Sequence, residues 1–302
     1  MLAADATPQL SWDLVQDVHQ LFEFHFMVNA FRAGTVIAVV AGAIGYFMVL
    51  RQQTFAGHTL SVVGFPGAAG AVWLGVSATF GYFAFCIAAA LVIALVPHGR
   101  GRAFSEESAI IGTIQAFALA CGFLFASLYS GFLNGIDSLL FGSFLGITDV
   151  QVLTLLAVGL GALLVLIAIG RPLLFASIDT DVAAARGLPV RSLSVVFLVV
   201  LGVAVAEASQ ITGSLLVFAL LVVPAATAQR LTSRPGVGLL LSIGLGLAIT
   251  WLGLGISYYV DYPVGFWTTS VAFAIYLVVQ IATRITGAAR AVRRARPIAV
   301  AS

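Results

Sequence analysis

Apolar residues run through this chain in blocks of about twenty, the length a helix needs to cross a bilayer, with short polar interruptions between them. Nine blocks can be traced, near 27–50, 58–78, 80–97, 107–129, 150–170, 192–207, 211–229, 236–257 and 264–283. The pattern predicts an all-α polytopic protein, because only a helix satisfies its own backbone polar groups in hydrocarbon. The segment LLFGSFLG at 139–146 is apolar but too short to cross, which predicts a re-entrant or outer interfacial piece.

The polar interruptions alternate in character. Arg51, then Arg100 and Arg102, then Arg171, Arg186 and Arg191, then Arg230 and Arg234, and finally RAVRRARP fall in every second interruption. The others hold acids and aromatics: the N-terminus, YSGFLNGID at 129–137, AEAS at 206–209 and YYVDYPVG at 258–265. Basic residues stay on the cytoplasmic side. The N-terminus is therefore predicted outside and the C-terminus inside, which requires an odd number of spans and fits nine. Tyr129, Tyr258, Tyr259, Tyr262 and Trp267 then form an outer aromatic belt. The expected divisions are an extracytoplasmic segment 1–26, a transmembrane domain 27–284 with a cytoplasmic segment at 177–191, and a basic cytoplasmic tail 285–302. The first 26 residues carry Asp5, Asp13, Asp17 and Glu23 but no arginine, unlike the positive start of a signal peptide.

Composition adds two constraints. With 61% hydrophobic and 9% charged residues, the chain lacks the polar surface of a soluble domain. Every one of its 14 basic residues is arginine. A phosphate-binding loop ending in Gly-Lys-Ser/Thr is excluded, as is a lysine Schiff base, so any ATP this protein depends on is hydrolysed by another subunit. Cys86 and Cys121 sit inside apolar blocks and read as free buried thiols. The 31 glycines, as in GLLLSIGLGLAITWLGLG, read chiefly as close helix packing.

Two stretches carry chemistry. In AGHTLSVVGFPG, at 56–67, Pro66 has no N–H to offer the Val62 carbonyl. Pro224 deprives the Leu220 carbonyl in the same way. Two broken helices are expected, carrying His58, Thr59, Ser61 and Thr227. His58 then either lines a pathway, as ionisable residues inside membranes do, or bonds a neighbouring carbonyl and anchors a kink. The second stretch, SIDTDVAAARGLPVR at 177–191, predicts a short cytoplasmic helix. Asp179 is its N-cap, Asp181 lies in its first turn, Arg186 in its last, Gly187 at C′ and Pro189 beyond the end. It is either a loop ornament or a helix that docks in another protein's groove.

With these stretches in place, FMVNAFRAGTVIAVVAGAIGYFMVLRQQTFAGHTLSVVGFPGAA resembles the first conserved block of the ABC-3 family, permeases of zinc, manganese and iron importers. SIDTDVAAARGLPVRSL resembles its cytoplasmic coupling segment, and ITGSLLVFALLVVPAATAQRL and ISYYVDYPVG its later blocks. The resemblance runs from about residue 22 to 284. It implies a type II ABC importer permease fold in a bacterial cytoplasmic membrane. The implied partners are a second permease chain (identical or not), ATPase subunits, an extracytoplasmic metal-binding protein and lipid, with no nucleic acid. No cofactor belongs to the chain: the divalent metal is cargo, and ATP sits on the partner.

One departure is local. The family pattern is Asp-x-x-x-His, two ligands one turn apart, whereas this chain has His58 and Val62 at those positions. The hard carboxylate has become an imidazole, which favours zinc, nickel or copper over manganese, and the second ligand is gone. Contact of metal with His58 is expected to be transient. The alternatives are a secondary transporter, for which buried charge pairs are expected and the later acids Glu207 and Asp261 fall at outer ends, and a siderophore or cobalamin permease. Ala-Ala-Thr after Pro224 counts against the latter, since those permeases usually carry Pro-His-x-x-Arg.

Overall fold

The computed structural model describes residues 13–96, 102–128, 142, 146–260 and 262–295. Within them lie eleven helices: α1 Leu14–Glu23, α2 His25–Leu50, α3 Thr54–Trp73, α4 Ala78–Leu95, α5 Arg102–Leu128, α6 Asp149–Ile178, α7 Thr180–Ala185, α8 Val190–Thr212, α9 Ser214–Leu231, α10 Pro235–Tyr259 and α11 Val264–Ala295. The chemistry of their ends explains where they begin. Ser77 caps α4 by accepting from the Phe80 N–H at 3.4 Å. Thr148 and Gln151 form a reciprocal capping box at α6. Pro235 opens α10 where its missing N–H costs nothing.

Among the described residues, seven helices are long and apolar enough to cross a membrane: α2, α4, α5, α6, α8, α10 and α11. The other two expected crossings correspond to α3 and α9. α3 mixes glycine, threonine, serine and histidine among its apolar residues, and protein buries it almost throughout, from Ala56 to Ala71 with His58 half-buried. A helix carrying these polar groups is thus surrounded by other helices. α4, α5, α8 and α9 all pack against it.

α2 is the central post. It contacts α3, α6, α8, α9 and α10, and it is buried along most of its length. α11 packs on α9 and α10 at one edge, and α6 lies against α2 and α8 at another. The outer faces of α6 (Leu153, Leu160, Leu164, Ile167) and α11 (Phe273, Val278) are exposed and apolar, as lipid contact demands. Small residues set the crossings. Gly67 of α3 and Gly81 of α4 press backbone to backbone: a Cβ on either would strike the other's carbonyl oxygen. The Ser242 hydroxyl of α10 donates to the Gly42 carbonyl of α2 at 2.7 Å. At the helix ends His25 meets Asp149 at 3.2 Å and Asn29 donates to the Ile147 carbonyl at 3.1 Å, tying α2 to α6.

Three expectations need correction. First, the helices are not broken at Pro66 or Pro224. α3 and α9 continue through both prolines, which are fully enclosed by neighbours, so each loses one backbone bond but keeps its packing. Second, AEAS at 206–209 is not a loop: it lies inside α8, and Glu207 is 1% exposed rather than at an outer end. The α8–α9 connection is instead the single residue Gly213, at φ 76° and ψ 156°, a conformation closed to other residues. Third, Arg171 and Arg191 lie within α6 and α8, and α11 runs through residue 284 into the expected tail. Tyr129, Asp261 and the loop at 129–137 lie outside the described residues, as does most of 139–146. Gly142 is described, and its backbone abuts Ile211, Thr212 and Gly213 at the α8–α9 turn.

Candidate functional site

His58 lies one turn into α3, where α3 faces α9. Its ring meets Phe218 of α9 edge to face, centroids 4.8 Å apart with planes at 62°. Its Nδ1 is buried and has no hydrogen-bond partner among the described residues. The neighbouring hydroxyls are already engaged. Thr59 donates to Gln115 Oε1 of α5 at 2.9 Å, Ser61 donates to the His58 carbonyl at 2.7 Å, and Thr227 donates to the Val223 carbonyl at 2.7 Å within α9. Val62, one turn after His58, is buried and apolar. Of the expected pathway residues, the imidazole alone therefore presents a buried polar side-chain atom that is unspent.

Pro66 and Pro224 sit on two helices that pack together, so the two proline-containing segments belong to one helix pair. Phe218 and Gln115 were invisible as partners of His58 and Thr59, being 160 and 56 positions away in sequence. Their only local mark is that Phe218 precedes Pro224 by six residues. No group of three His, Cys, Asp or Glu able to hold a metal occurs among the described residues. One imidazole supplies a single ligand, where a stable zinc site uses three or four.

Glu207 is a second buried polar group. Neither carboxylate oxygen has a hydrogen-bond partner among the described residues. The side chain fits a notch at Gly159 of α6: a Cβ there would lie 3.0 Å from Glu207 Oε1 and 2.9 Å from Val40 Cγ2 of α2.

At the far end of α6, the expected short helix is present as α7. The Asp179 side chain accepts from the N–H groups of Asp181 at 3.1 Å and Val182 at 3.0 Å. At the other end the Gly187 N–H donates to Ala184 O at 2.9 Å and the Leu188 N–H to Ala183 O at 3.1 Å, a Schellman closure. Gly187 has φ +80°. Pro189 bends the chain into α8 through a tight turn, with the Val190 N–H on the Leu188 carbonyl at 2.8 Å. Ala183 is fully buried and anchors the helix, while Asp181, Val182, Ala184, Ala185 and Arg186 face outward.

Known proteins resemble the chain over most of its length. The manganese import system permease protein ScaB of Streptococcus gordonii is 30% identical over 266 residues, covering 88% of this chain and 93% of that protein. The chelated iron transport system membrane protein YfeC of Yersinia pestis is 33% identical over 246 residues, 82% of each chain. Among solved structures, PsaBC from Streptococcus pneumoniae in complex with Fab superposes with a TM-score of 0.77 at 28% identity, covering 88% of this chain and 94% of that one. A metal-chelate type ABC transporter in an inward-facing conformation shares the fold, with a TM-score of 0.65 at 17% identity. Residues 23–283 match the ABC 3 transport family, and the chain belongs to it as a multi-pass protein of the bacterial plasma membrane.

Proposed function

We propose that this chain is the membrane-spanning subunit of an ATP-driven importer for divalent transition-metal ions (zinc, manganese or iron). Metal arrives from an extracytoplasmic binding protein, and a separate subunit hydrolyses ATP. Two permease chains assemble, each crossing the membrane nine times, with α3 and α9 completing the seven more apolar spans, the N-terminus outside and the C-terminus inside. The path follows the α3–α9 pair past His58, Thr59, Ser61, Val62, Pro66, Pro224 and Thr227. The segment Asp179, Asp181, Arg186, Gly187 and Pro189 docks the ATPase.

One observation carries this reading: the His58 Nδ1 is buried and unspent, on the most enclosed helix, at the position of a family ligand. The manganese and iron permeases among the relatives support the same cargo class. A single imidazole suits a conduit, because tight binding would slow release. The test is uptake of zinc, manganese and iron by the complete transporter in a strain lacking other importers. His58→Asn keeps a hydrogen-bonding side chain but is a much poorer ligand, and we expect assembly to persist while uptake falls sharply. Wild-type uptake of every metal by this variant would make the imidazole structural and remove it from the path.

A further inference from the structure

Arg51 ends α2 and stands where four elements meet. Its Nη2 donates to Ser194 Oγ of α8 at 2.6 Å, its Nη1 to Ser177 Oγ of α6 at 3.4 Å, and its Nε to Gln53 Oε1 at 3.2 Å, at the start of α3. The guanidinium also lies over the ring of Phe197 of α8, 5.5 Å from its centroid. Ser177 in turn donates to the Leu173 carbonyl at 2.5 Å, so its oxygen is fixed to α6. Ser177 and Ser194 flank α7 on its two sides, one near the end of α6 and the other in the first turns of α8. All three of these acceptors are neutral.

The elbow between α2 and α3 is stiff. The Gln52 N–H donates to Val49 O at 3.1 Å and the Gln53 N–H to Met48 O at 3.0 Å, closing α2 as a Schellman motif. Gln52 occupies the left-handed position at φ 58°, the only non-glycine residue to do so among the described residues. Gly57, in the first turn of α3, abuts the Met48 sulfur. With Gln53 buried and bonded to Arg51, a displacement of the guanidinium carries the start of α3 with it. His58 follows five residues later.

We propose that Arg51 is a positioning residue that transmits movement of the α6–α7–α8 segment, through Ser177 and Ser194, to Gln53 and so to His58 on α3. The proposal rests on the reading that α7 receives the ATPase. The planar fork suits the role, because its three N–H directions are fixed relative to one another and reach three elements at once. Neutral serine acceptors also suit it: they can be exchanged during a movement without stranding a buried carboxylate.

The test uses the complete transporter in liposomes, with ATP hydrolysis and metal uptake measured on the same vesicles. For Arg51→Gln, the ATPase stays bound and hydrolysis persists, while metal moved per ATP falls roughly 3- to 30-fold, the range of coupling residues. Arg51→Lys keeps the charge without the fork and falls between; Ser194→Ala lowers the ratio less but in the same direction. An unchanged ratio in Arg51→Gln, or an equal loss of hydrolysis and uptake, overturns the proposal. If Arg51→Gln does not assemble, an unchanged ratio in Ser194→Ala does so instead. Failure of the docking reading looks different: the ATPase would bind α7 variants as well as wild type, whatever the Arg51 ratios show.

Discussion

His58 on α3 and Phe218 on α9 meet edge to face at 4.8 Å, and this contact leaves the imidazole Nδ1 buried without a hydrogen-bond partner among the described residues. An aromatic edge contact fixes a ring's orientation without consuming its nitrogen lone pair. The nitrogen is therefore held in place without the bond to a neighbouring carbonyl that a kink-anchoring histidine would make among the described residues.

Cargo preference is expected to follow the ligand at this position. His58→Asp restores the family's carboxylate, a harder ligand that favours manganese over softer ions. Competitive uptake with zinc and manganese supplied together should shift several-fold toward manganese. Val62 withholds the second ligand in wild type and variant alike, so the comparison isolates the group at position 58. An unchanged zinc-to-manganese ratio would separate selectivity from His58.

Gly187 offers a clean test of α7. A Cβ there would meet nothing within 4 Å, so a substitution acts through the backbone alone. At φ +80° a β-branched residue is strained, at a cost of about 1–2 kcal/mol. Gly187→Val should open the Schellman closure and weaken recovery of the ATPase in a pull-down, while Gly187→Asn, which tolerates this conformation, should retain most of it. Reversing the exposed charge with Arg186→Glu should also weaken capture without altering the membrane fold. Full recovery with Gly187→Val and Arg186→Glu would dismiss α7 as the docking element.

Glu207 is expected to lower stability in this conformation. A buried polar group without a partner costs about 1–3 kcal/mol, and here both carboxylate oxygens are in that position. Glu207→Leu, of similar volume, should raise the thermal unfolding midpoint in detergent. Glu207→Gln keeps the shape and a polar end and should change it less. A drop in midpoint with Glu207→Leu would mean that the carboxyl is partnered after all.

What local chemistry governs was legible in the sequence, and what distant packing governs was not. Asp179 and Gly187 could be assigned because a cap and a left-handed C′ residue act on their own turn. The apolar blocks gave the helices because a bilayer enforces length and composition segment by segment. The prolines misled because a missing N–H is a local signal, whereas the helices continue through them on account of neighbours such as Gly81 against Gly67. Glu207 misled for the same reason: a carboxylate at the end of an apolar run reads as a loop until Gly159, 48 positions away, is seen to make room for it. Arg51 read as a marker of topology, and its serine acceptors lie 126 and 143 positions along the chain.

The glycines separate into two groups with opposite expected responses. At Gly67 and Gly81 the α3 and α4 backbones are in mutual contact, so a methyl on either has nowhere to go: it meets a carbonyl oxygen, which cannot rotate away as a side chain could. Gly244 and Gly255 of α10 face open space, with nothing within 4 Å of an added Cβ. Gly81→Ala should therefore destabilise by about 1–3 kcal/mol or more, as overpacking does, and displace the α3 segment that carries His58 and Pro66. Gly244→Ala and Gly255→Ala should be neutral or stabilise by about 0.5–1 kcal/mol, because alanine is the better helix former. Thermal unfolding of the four single alanine variants in one detergent, alongside metal uptake, checks both signs. A midpoint for Gly81→Ala or Gly67→Ala at or above that of the α10 variants would show that α3 and α4 do not cross at these residues, and would loosen the enclosure of α3 on which the position of His58 depends.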